Sequence, residues 1–150
     1  MKQQQAIIGT ALQAAPQAQL DLVVPFTTPE LTLAALEAAN RLGAGLNAGV
    51  RLLKVQVVPY PLDLNQSPVP LDFLKEQLRS FPAKLPTRCE VRLARGLEPG
   101  LLSATSEHSL VILATRRRPW PTRTERLASS LRRAGRTIVL VYEKDTPCLT

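Results

Sequence analysis

Residues 109–143 read SLVILATRRRPWPTRTERLASSLRRAGRTIVLVYE, and this stretch decides the fold. Its outer segments, residues 110–115 and 137–142, are continuous apolar runs, which is typical of strands buried on both faces of a sheet. Between them lie a charged loop and a segment whose apolar residues have helical spacing. The stretch therefore predicts a strand, a loop, a helix and a strand, a unit that joins two parallel strands through a right-handed crossover.

The net positive charge of the protein comes from the loop and helix inside this stretch. The chain has 19 Lys and Arg against 12 Asp and Glu, which gives a net charge of +7. The loop and helix hold eight arginines and one acid, Glu125, so they account for the whole +7 and all other residues sum to zero. The eight are Arg116, Arg117, Arg118, Arg123, Arg126, Arg132, Arg133 and Arg136.

The length and composition predict a single domain with an aliphatic core. A chain of 150 residues buries enough surface to hold a core without disulfides, and only six of its residues are aromatic. Cys89 and Cys148 lie far apart and His108 is the one histidine, so we expect no metal site and no cofactor. No apolar run approaches the roughly 20 residues of a membrane span, and unpaired cysteines fit a reducing compartment. We therefore expect a cytoplasmic protein.

Residues 19–143 are predicted to form the domain, with a tail at each end. The apolar residues 6–12 faintly resemble a signal peptide, but the glutamines at 3–5 and Gly9 do not fit one. We expect residues 1–18 to form a mobile or loosely helical tail and residues 144–150 to form a polar C-terminal tail.

Along the chain, predicted strands alternate with predicted helices. The strands are expected at residues 20–26, 50–58, 89–93, 110–115 and 137–142. The first helix is expected to begin with a threonine cap at Thr27 or Thr28 and to end at Gly43 and Gly45. Its expected inward residues are Leu31, Ala34, Ala35, Ala38 and Leu42.

Three further helices are expected: one at residues 71–81, a short one that Pro99 opens, and one that Thr122 caps. The alternation predicts an α/β fold in which a single doubly wound, five-stranded parallel sheet carries helices on both faces. If the strand order is 3-2-1-4-5, the winding reverses between strands one and four, and ligands bind at the carboxyl ends of strands there.

Four segments resemble the universal stress protein family in their order and spacing. They are LDLVVPFTT at 20–28, VRLARGLEPGLL at 91–102, SLVILATR at 109–116 and TIVLVY at 137–142. The resemblance implies that family's strand order, 3-2-1-4-5, over about residues 20–143. It also implies a homodimer that pairs through the edge of the last strand; the alternative is a monomer with that edge covered by a tail. The dimer-edge residues would be Ile138, Leu140 and Tyr142.

The family's glycine-rich nucleotide loop has no counterpart in this sequence. Members that bind ATP carry Gly-x2-Gly-x9-Gly-Ser/Thr after strand four, because backbone amides cradle phosphates only where side chains do not obstruct them. The corresponding positions here are Ala114, Arg117 and about Thr124, while Pro119 and Pro121 each remove an amide donor. The resemblance therefore implies a divergent, non-ATP-binding member of the family.

The loop after the fourth predicted strand, residues 116–120, contains three arginines, and we call it the arginine loop. It is the candidate ligand site. Guanidinium groups bind phosphate or carboxylate through paired hydrogen bonds, and an indole can stack on a base or on a guanidinium. Thr27 is included because it aligns with the acidic residue that faces the nucleoside in the family. The alternative is a solvated loop whose charges keep the protein in solution. The candidate anion- or ligand-binding residues are Thr27, Thr115, Arg116, Arg117, Arg118 and Trp120.

The sequence favours a protein that is not an enzyme, because no serine and no histidine lies in a recognisable catalytic arrangement. We expect a stress-response or regulatory module. The alternatives are an anion- or nucleotide-sensing domain that uses Arg116–Arg118, and a cytosolic accessory domain of a transport system. Nucleic acid is not favoured, since aromatic residues are not interleaved with the charges. We expect contact with a membrane only through a transporter partner.

Overall fold

The computed structural model describes residues 20–46, 48–82 and 85–143, and both predicted tails lie outside these ranges. Within them, five strands alternate with four helices. The strands are β1 (Leu20–Pro25), β2 (Ala48–Val57), β3 (Thr87–Ala94), β4 (Ser109–Arg116) and β5 (Thr137–Glu143). The helices are α1 (Pro29–Gly43), α2 (Leu71–Arg79), α3 (Leu97–Ala104) and α4 (Arg123–Arg133).

The strands form one parallel sheet in the order β3-β2-β1-β4-β5. The predicted doubly wound α/β fold is therefore confirmed, and so are the edge positions of β3 and β5. The central pair is β1 and β4, in which Leu22 lies beside Leu110 and Val23 beside Val111. The carboxyl ends of these two strands meet at the point where the winding of the sheet reverses.

The sheet separates two cores, because successive residues of a strand point to opposite faces. Helices α1 and α2 cover one face, over the fully buried Leu22, Leu52 and Ile112. Helices α3 and α4 cover the other face, over the fully buried Val23 and Leu113. Burial of each such side chain contributes about 2 kcal/mol. This burial on both faces explains why the central strands are continuous apolar runs in the sequence.

Helix α1 is capped by Thr28, whose hydroxyl accepts a hydrogen bond from the Leu31 amide at 3.3 Å. The Thr27 amide donates to the buried Thr32 hydroxyl at 3.0 Å. The inward position predicted for Leu42 is wrong, since its side chain is 42% exposed. Spacing predicts the helix, but packing against the sheet decides its rotation. The buried residues of α1 are Thr32, Ala35, Leu36, Ala38, Ala39 and Gly43.

The end of α1 shows two different uses of glycine. A Cβ at Gly43 would lie 2.6 Å from Leu85 Cδ1 and 3.2 Å from Leu22 Cδ1, so glycine lets the helix approach β1 closely. Gly45 follows with a φ of +78°, the left-handed conformation in which glycine commonly terminates helices. The prediction that these two glycines close the helix is confirmed.

Candidate anion-binding site

A cleft of about 320 Å³ opens at the carboxyl ends of the central strands, between the first turns of α1 and α4. Short connections follow β1 and β4, and they bring the N-terminal ends of both helices to the same edge of the sheet. We call this space the switch-point cleft. Its lining consists of Thr28, Glu30, Leu31, Thr115, Arg116, Arg118, Thr122, Arg123 and Thr124.

Positive charge predominates in the switch-point cleft. Arg116, Arg118 and Arg123 supply three guanidinium groups, against the single carboxylate of Glu30. The N-terminal end of a helix adds roughly half a positive charge, and both α1 and α4 begin here. The cleft is therefore suited electrostatically to an anion.

A chain of hydrogen bonds holds the base of the cleft. The Thr115 side chain is 2% exposed, and its hydroxyl lies 2.7 Å from the hydroxyl of Thr122. Thr122 caps α4 as predicted: its hydroxyl accepts from the Glu125 amide at 3.1 Å, and its amide donates to Glu125 Oε1 at 2.9 Å. The backbone bond from Thr122 and the hydroxyl of Tyr142 lower the pKa of Glu125. The hydroxyls of Thr115 and Thr122 are thus both used in structural hydrogen bonds.

Two residues of β5 hold the arginine loop in place. Tyr142 donates its hydroxyl to Glu125 Oε2 at 3.0 Å, and this bond raises the pKa of Tyr142. The Arg117 guanidinium lies over the Tyr142 ring, with Cζ 4.6 Å from the ring centroid. Arg116 Nε lies 3.4 Å from Glu143 Oε2. The parallel register of β4 and β5 brings these groups together, so the loop and the edge strand are linked.

The predicted site residues separate in the structure. Thr115, Arg116 and Arg118 line the switch-point cleft. Thr27 lies outside the lining, and its backbone amide donates a hydrogen bond to Thr32 of α1. Trp120 also lies outside the lining, and its side chain is 77% exposed. The sequence-based grouping therefore combined cleft residues with surface residues of the same loop.

Six lining residues were missing from the sequence-based site: Thr28, Glu30, Leu31, Thr122, Arg123 and Thr124. All six lie at the cap or in the first turn of the helix that follows a central strand. That position was the available signal, because first turns after β1 and β4 must meet at the switch point. Glu30 changes the chemistry most, since its carboxylate opposes an incoming anion.

The backbone of the arginine loop differs from a phosphate-cradling loop. Ala114 lies inside β4 and Thr124 inside α4, so two of the three glycine positions of the family motif fall in regular structure. Within the described ranges, φ is positive only at Gly45 and Gly135. Residues 117–122 therefore contain none of the left-handed conformations from which backbone anion nests are built.

Other chemistry has little support in the part of the chain that the structure describes. No three His, Cys, Asp or Glu side chains there lie close enough together to hold a metal ion. None of the described helices combines the length and the apolar character needed to cross a bilayer. Burial raises the pKa of the Cys89 thiol in spite of nearby Arg79, which makes this cysteine a poor nucleophile.

Comparison with known proteins identifies the fold. No protein-family model and no curated protein matches the chain. Among solved structures, a universal stress protein from Archaeoglobus fulgidus is similar, with a TM-score of 0.58 and 10% sequence identity, over 87% of this chain and 98% of that chain. The chain has the universal stress protein fold. The resemblance seen in the sequence is thus confirmed at the level of the fold, which by itself does not define function.

Proposed function

We propose that this chain is a non-enzymatic regulatory or stress-response module whose signal is a small oxyanion, bound in the switch-point cleft. The meeting of Arg116, Arg118 and Arg123 at the N-terminal ends of two helices carries this proposal. Guanidinium forks and helix N-termini both favour phosphate and carboxylate groups. Binding would depend on side chains rather than on the backbone amides of a glycine-rich loop.

The geometry favours a ligand smaller than a nucleoside triphosphate. The volume of about 320 Å³ is at the lower end of the roughly 300–1,000 Å³ typical of small-molecule sites. Pro119 and Pro121 offer no amide donors, and residues 117–122 contain no left-handed turn to wrap a triphosphate. Inorganic phosphate, or a small molecule with one phosphate or carboxylate group, matches this space and charge.

The arrangement of the cleft also favours binding without catalysis. The lining contains no histidine and no cysteine. Its two most constrained hydroxyls, those of Thr115 and Thr122, are bonded to each other, and Glu125 caps α4. An oxyanion in the cleft would therefore meet donors and charges, but no pair of a nucleophile and a base.

The test is thermal unfolding with phosphate, sulfate, ATP and chloride at constant ionic strength. Phosphate is expected to raise the melting temperature, because a ligand that binds only the folded state stabilises it. Arg123→Gln should reduce this shift severalfold. Arg126→Gln is the matched control, since it removes the same charge from an exposed position of α4 outside the lining. No shift with any oxyanion would contradict the proposal.

A second experiment tests whether removing a negative charge from the cleft strengthens phosphate binding. Glu30→Gln removes the one carboxylate that lines the cleft, so phosphate should bind more tightly to this variant than to the wild type. The gain should shrink in high salt, because exposed charges are screened. Unchanged or weaker phosphate binding by the variant would place the anion elsewhere.

A further inference from the structure

A row of arginines follows α4 away from the switch-point cleft. Arg123, Arg126 and Arg133 recur at helical spacing and lie on one side of α4, and all three are exposed. The opposite side of the helix packs on the sheet through the buried Ala128 and Leu131. At 1.5 Å per residue, the row extends for about 15 Å. The first arginine borders the cleft and the others lie beyond it.

Two exposed aromatic side chains come from the segments on either side of α4 in the chain. Trp120 immediately precedes α4, lies between two prolines and is 77% exposed. Tyr142 comes from β5, is 37% exposed and lies under the guanidinium of Arg117. Along the sequence, aromatic residues are not interleaved with the charges, which disfavours nucleic acid. In the folded protein, the pairing of β4 with β5 brings one aromatic residue, Tyr142, next to Arg117 from a distant position in the chain.

We propose that this surface, the arginine face (Arg117, Arg123, Arg126, Arg133, Trp120 and Tyr142), binds single-stranded nucleic acid. The arginines would contact successive phosphates, and Trp120 would stack on a base. Exposed aromatic side chains beside a positively charged track are how proteins hold single strands without sequence preference. This inference goes beyond the oxyanion site, because only Arg123 belongs to both surfaces.

The choice of arginine favours nucleic acid over an anionic membrane. All eight basic residues from Arg116 to Arg136 are arginine and none is lysine. A planar guanidinium forms paired hydrogen bonds with phosphate and stacks on aromatic faces. Attraction to a charged lipid surface depends mainly on charge, and lysine would serve there equally well.

Two arginines of this segment are excluded because the fold uses them. Arg136 donates to the Leu102 carbonyl at 3.1 Å and to the Thr105 hydroxyl at 3.0 Å, which joins the segment before β5 to the end of α3. Arg132 donates to the Ile138 carbonyl at 3.2 Å. Arg132 and Arg136 are therefore left out of the arginine face.

Trp120 provides a direct readout, because it is the only tryptophan in the chain. The experiment follows its fluorescence while the wild type is titrated, in low salt, with oligo(dT), with oligo(U) and with vesicles of phosphatidylserine and phosphatidylcholine. Stacking on a base should quench the emission in a saturable way. Vesicles should leave it unchanged. Emission that shifts to the blue with vesicles, while the oligonucleotides have no effect, would overturn the proposal in favour of a membrane.

Variants locate the contact. In anisotropy measurements with labelled oligo(dT), Arg126→Gln with Arg133→Gln should weaken binding at least tenfold and reduce the salt slope by about 0.7 per lost phosphate contact. Arg41→Gln with Arg88→Gln removes the same charge from exposed positions elsewhere and should have a much smaller effect. Equal losses in both pairs, or no binding by the wild type, would overturn the proposal.

The stacking role has its own control. Trp120→Ala should weaken oligo(dT) binding severalfold, and Trp120→Phe should restore most of it, because a phenyl ring keeps a face on which a base stacks. Equal binding by the wild type and Trp120→Ala would remove Trp120 from the site. The Arg126 and Arg133 variants should keep their thermal response to phosphate, which separates failure here from failure of the oxyanion proposal.

Discussion

Arg51 of β2 holds Asp21 of β1 through two parallel hydrogen bonds, Nε to Oδ1 at 3.0 Å and Nη2 to Oδ2 at 2.9 Å. The same guanidinium donates to Glu90 of β3 at 2.9 Å and to the Ala104 carbonyl at 2.8 Å. The Ser109 hydroxyl donates to the second oxygen of Asp21 at 2.7 Å. One arginine therefore links three neighbouring strands and the end of α3.

Removing Asp21 should destabilise the protein measurably. Asp21→Ala removes two hydrogen bonds from the Arg51 guanidinium, whose side chain is 13% exposed, and we expect a loss of about 2 kcal/mol in the free energy of unfolding. Urea unfolding measures this loss. The control is Glu76→Ala, which breaks an exposed pair with Arg79 and should cost about 0.5 kcal/mol or less. Equal losses of unfolding free energy in the two variants would mean that the network around Arg51 does not stabilise the fold.

The same carboxylate should make stability depend on pH. Burial alone would raise the pKa of Asp21, but hydrogen bonds from Arg51 and Ser109 outweigh it, so the folded pKa lies below the ordinary 3.8. The carboxylate therefore stabilises the fold fully above the unfolded pKa, and this contribution is lost as pH falls through the folded pKa. The gap in unfolding free energy between wild type and Asp21→Asn should narrow below about pH 4. A gap independent of pH would contradict this.

Gly100 should tolerate no side chain, because α3 lies directly on β2 there. A Cβ would lie 2.4 Å from Val55 Cγ1 and 3.0 Å from Ala94 Cβ, so Gly100→Ala should cost about 1–3 kcal/mol through overpacking. Gly49→Ala is the control, since its Cβ would meet only the Pro86 carbonyl at 3.8 Å. Thermal unfolding should show a large drop for the first variant and almost none for the second.

Thr122 should matter to both the helix and the cleft. Thr122→Ala removes the cap of α4 and leaves the buried Thr115 hydroxyl without its partner, which together should cost about 2 kcal/mol. Thr122→Ser keeps the hydroxyl and should restore most of the stability. Chemical denaturation compares the two variants. If serine were no better than alanine, the methyl group rather than the hydroxyl bonds would be responsible.

The edge of β5 remains the predicted dimer interface. Ile138 is buried against the core, and Leu140 is half-buried at the open edge of the sheet. We expect sedimentation to give the mass of a dimer, and Val139→Lys to give a cooperatively unfolding monomer, because a lysine at an edge discourages strand pairing. A wild-type monomer at all concentrations would mean that this edge does not pair between chains.

Prediction from sequence succeeded where burial on both faces leaves a continuous signal. The apolar runs of β4 and β5 were located within one residue at each end. The cap at Thr122 was also predicted, because capping depends on residues only three apart. The inward face of α1 was partly wrong at Leu42, since a small rotation of a docked helix moves its edge residues into solvent.

The sequence by itself determined the alternation of strands and helices, and it concentrated the positive charge between β4 and β5. Only the tertiary structure decided which groups meet: Arg117 with Tyr142, and Arg51 with Asp21 and Glu90. It also placed Glu30 in the lining of the same cleft as the arginines. The physical reason is the distance along the chain between the residues that interact. Strands, helices and caps depend on neighbours a few residues away, whereas these contacts depend on the register and order of strands that lie far apart in the chain.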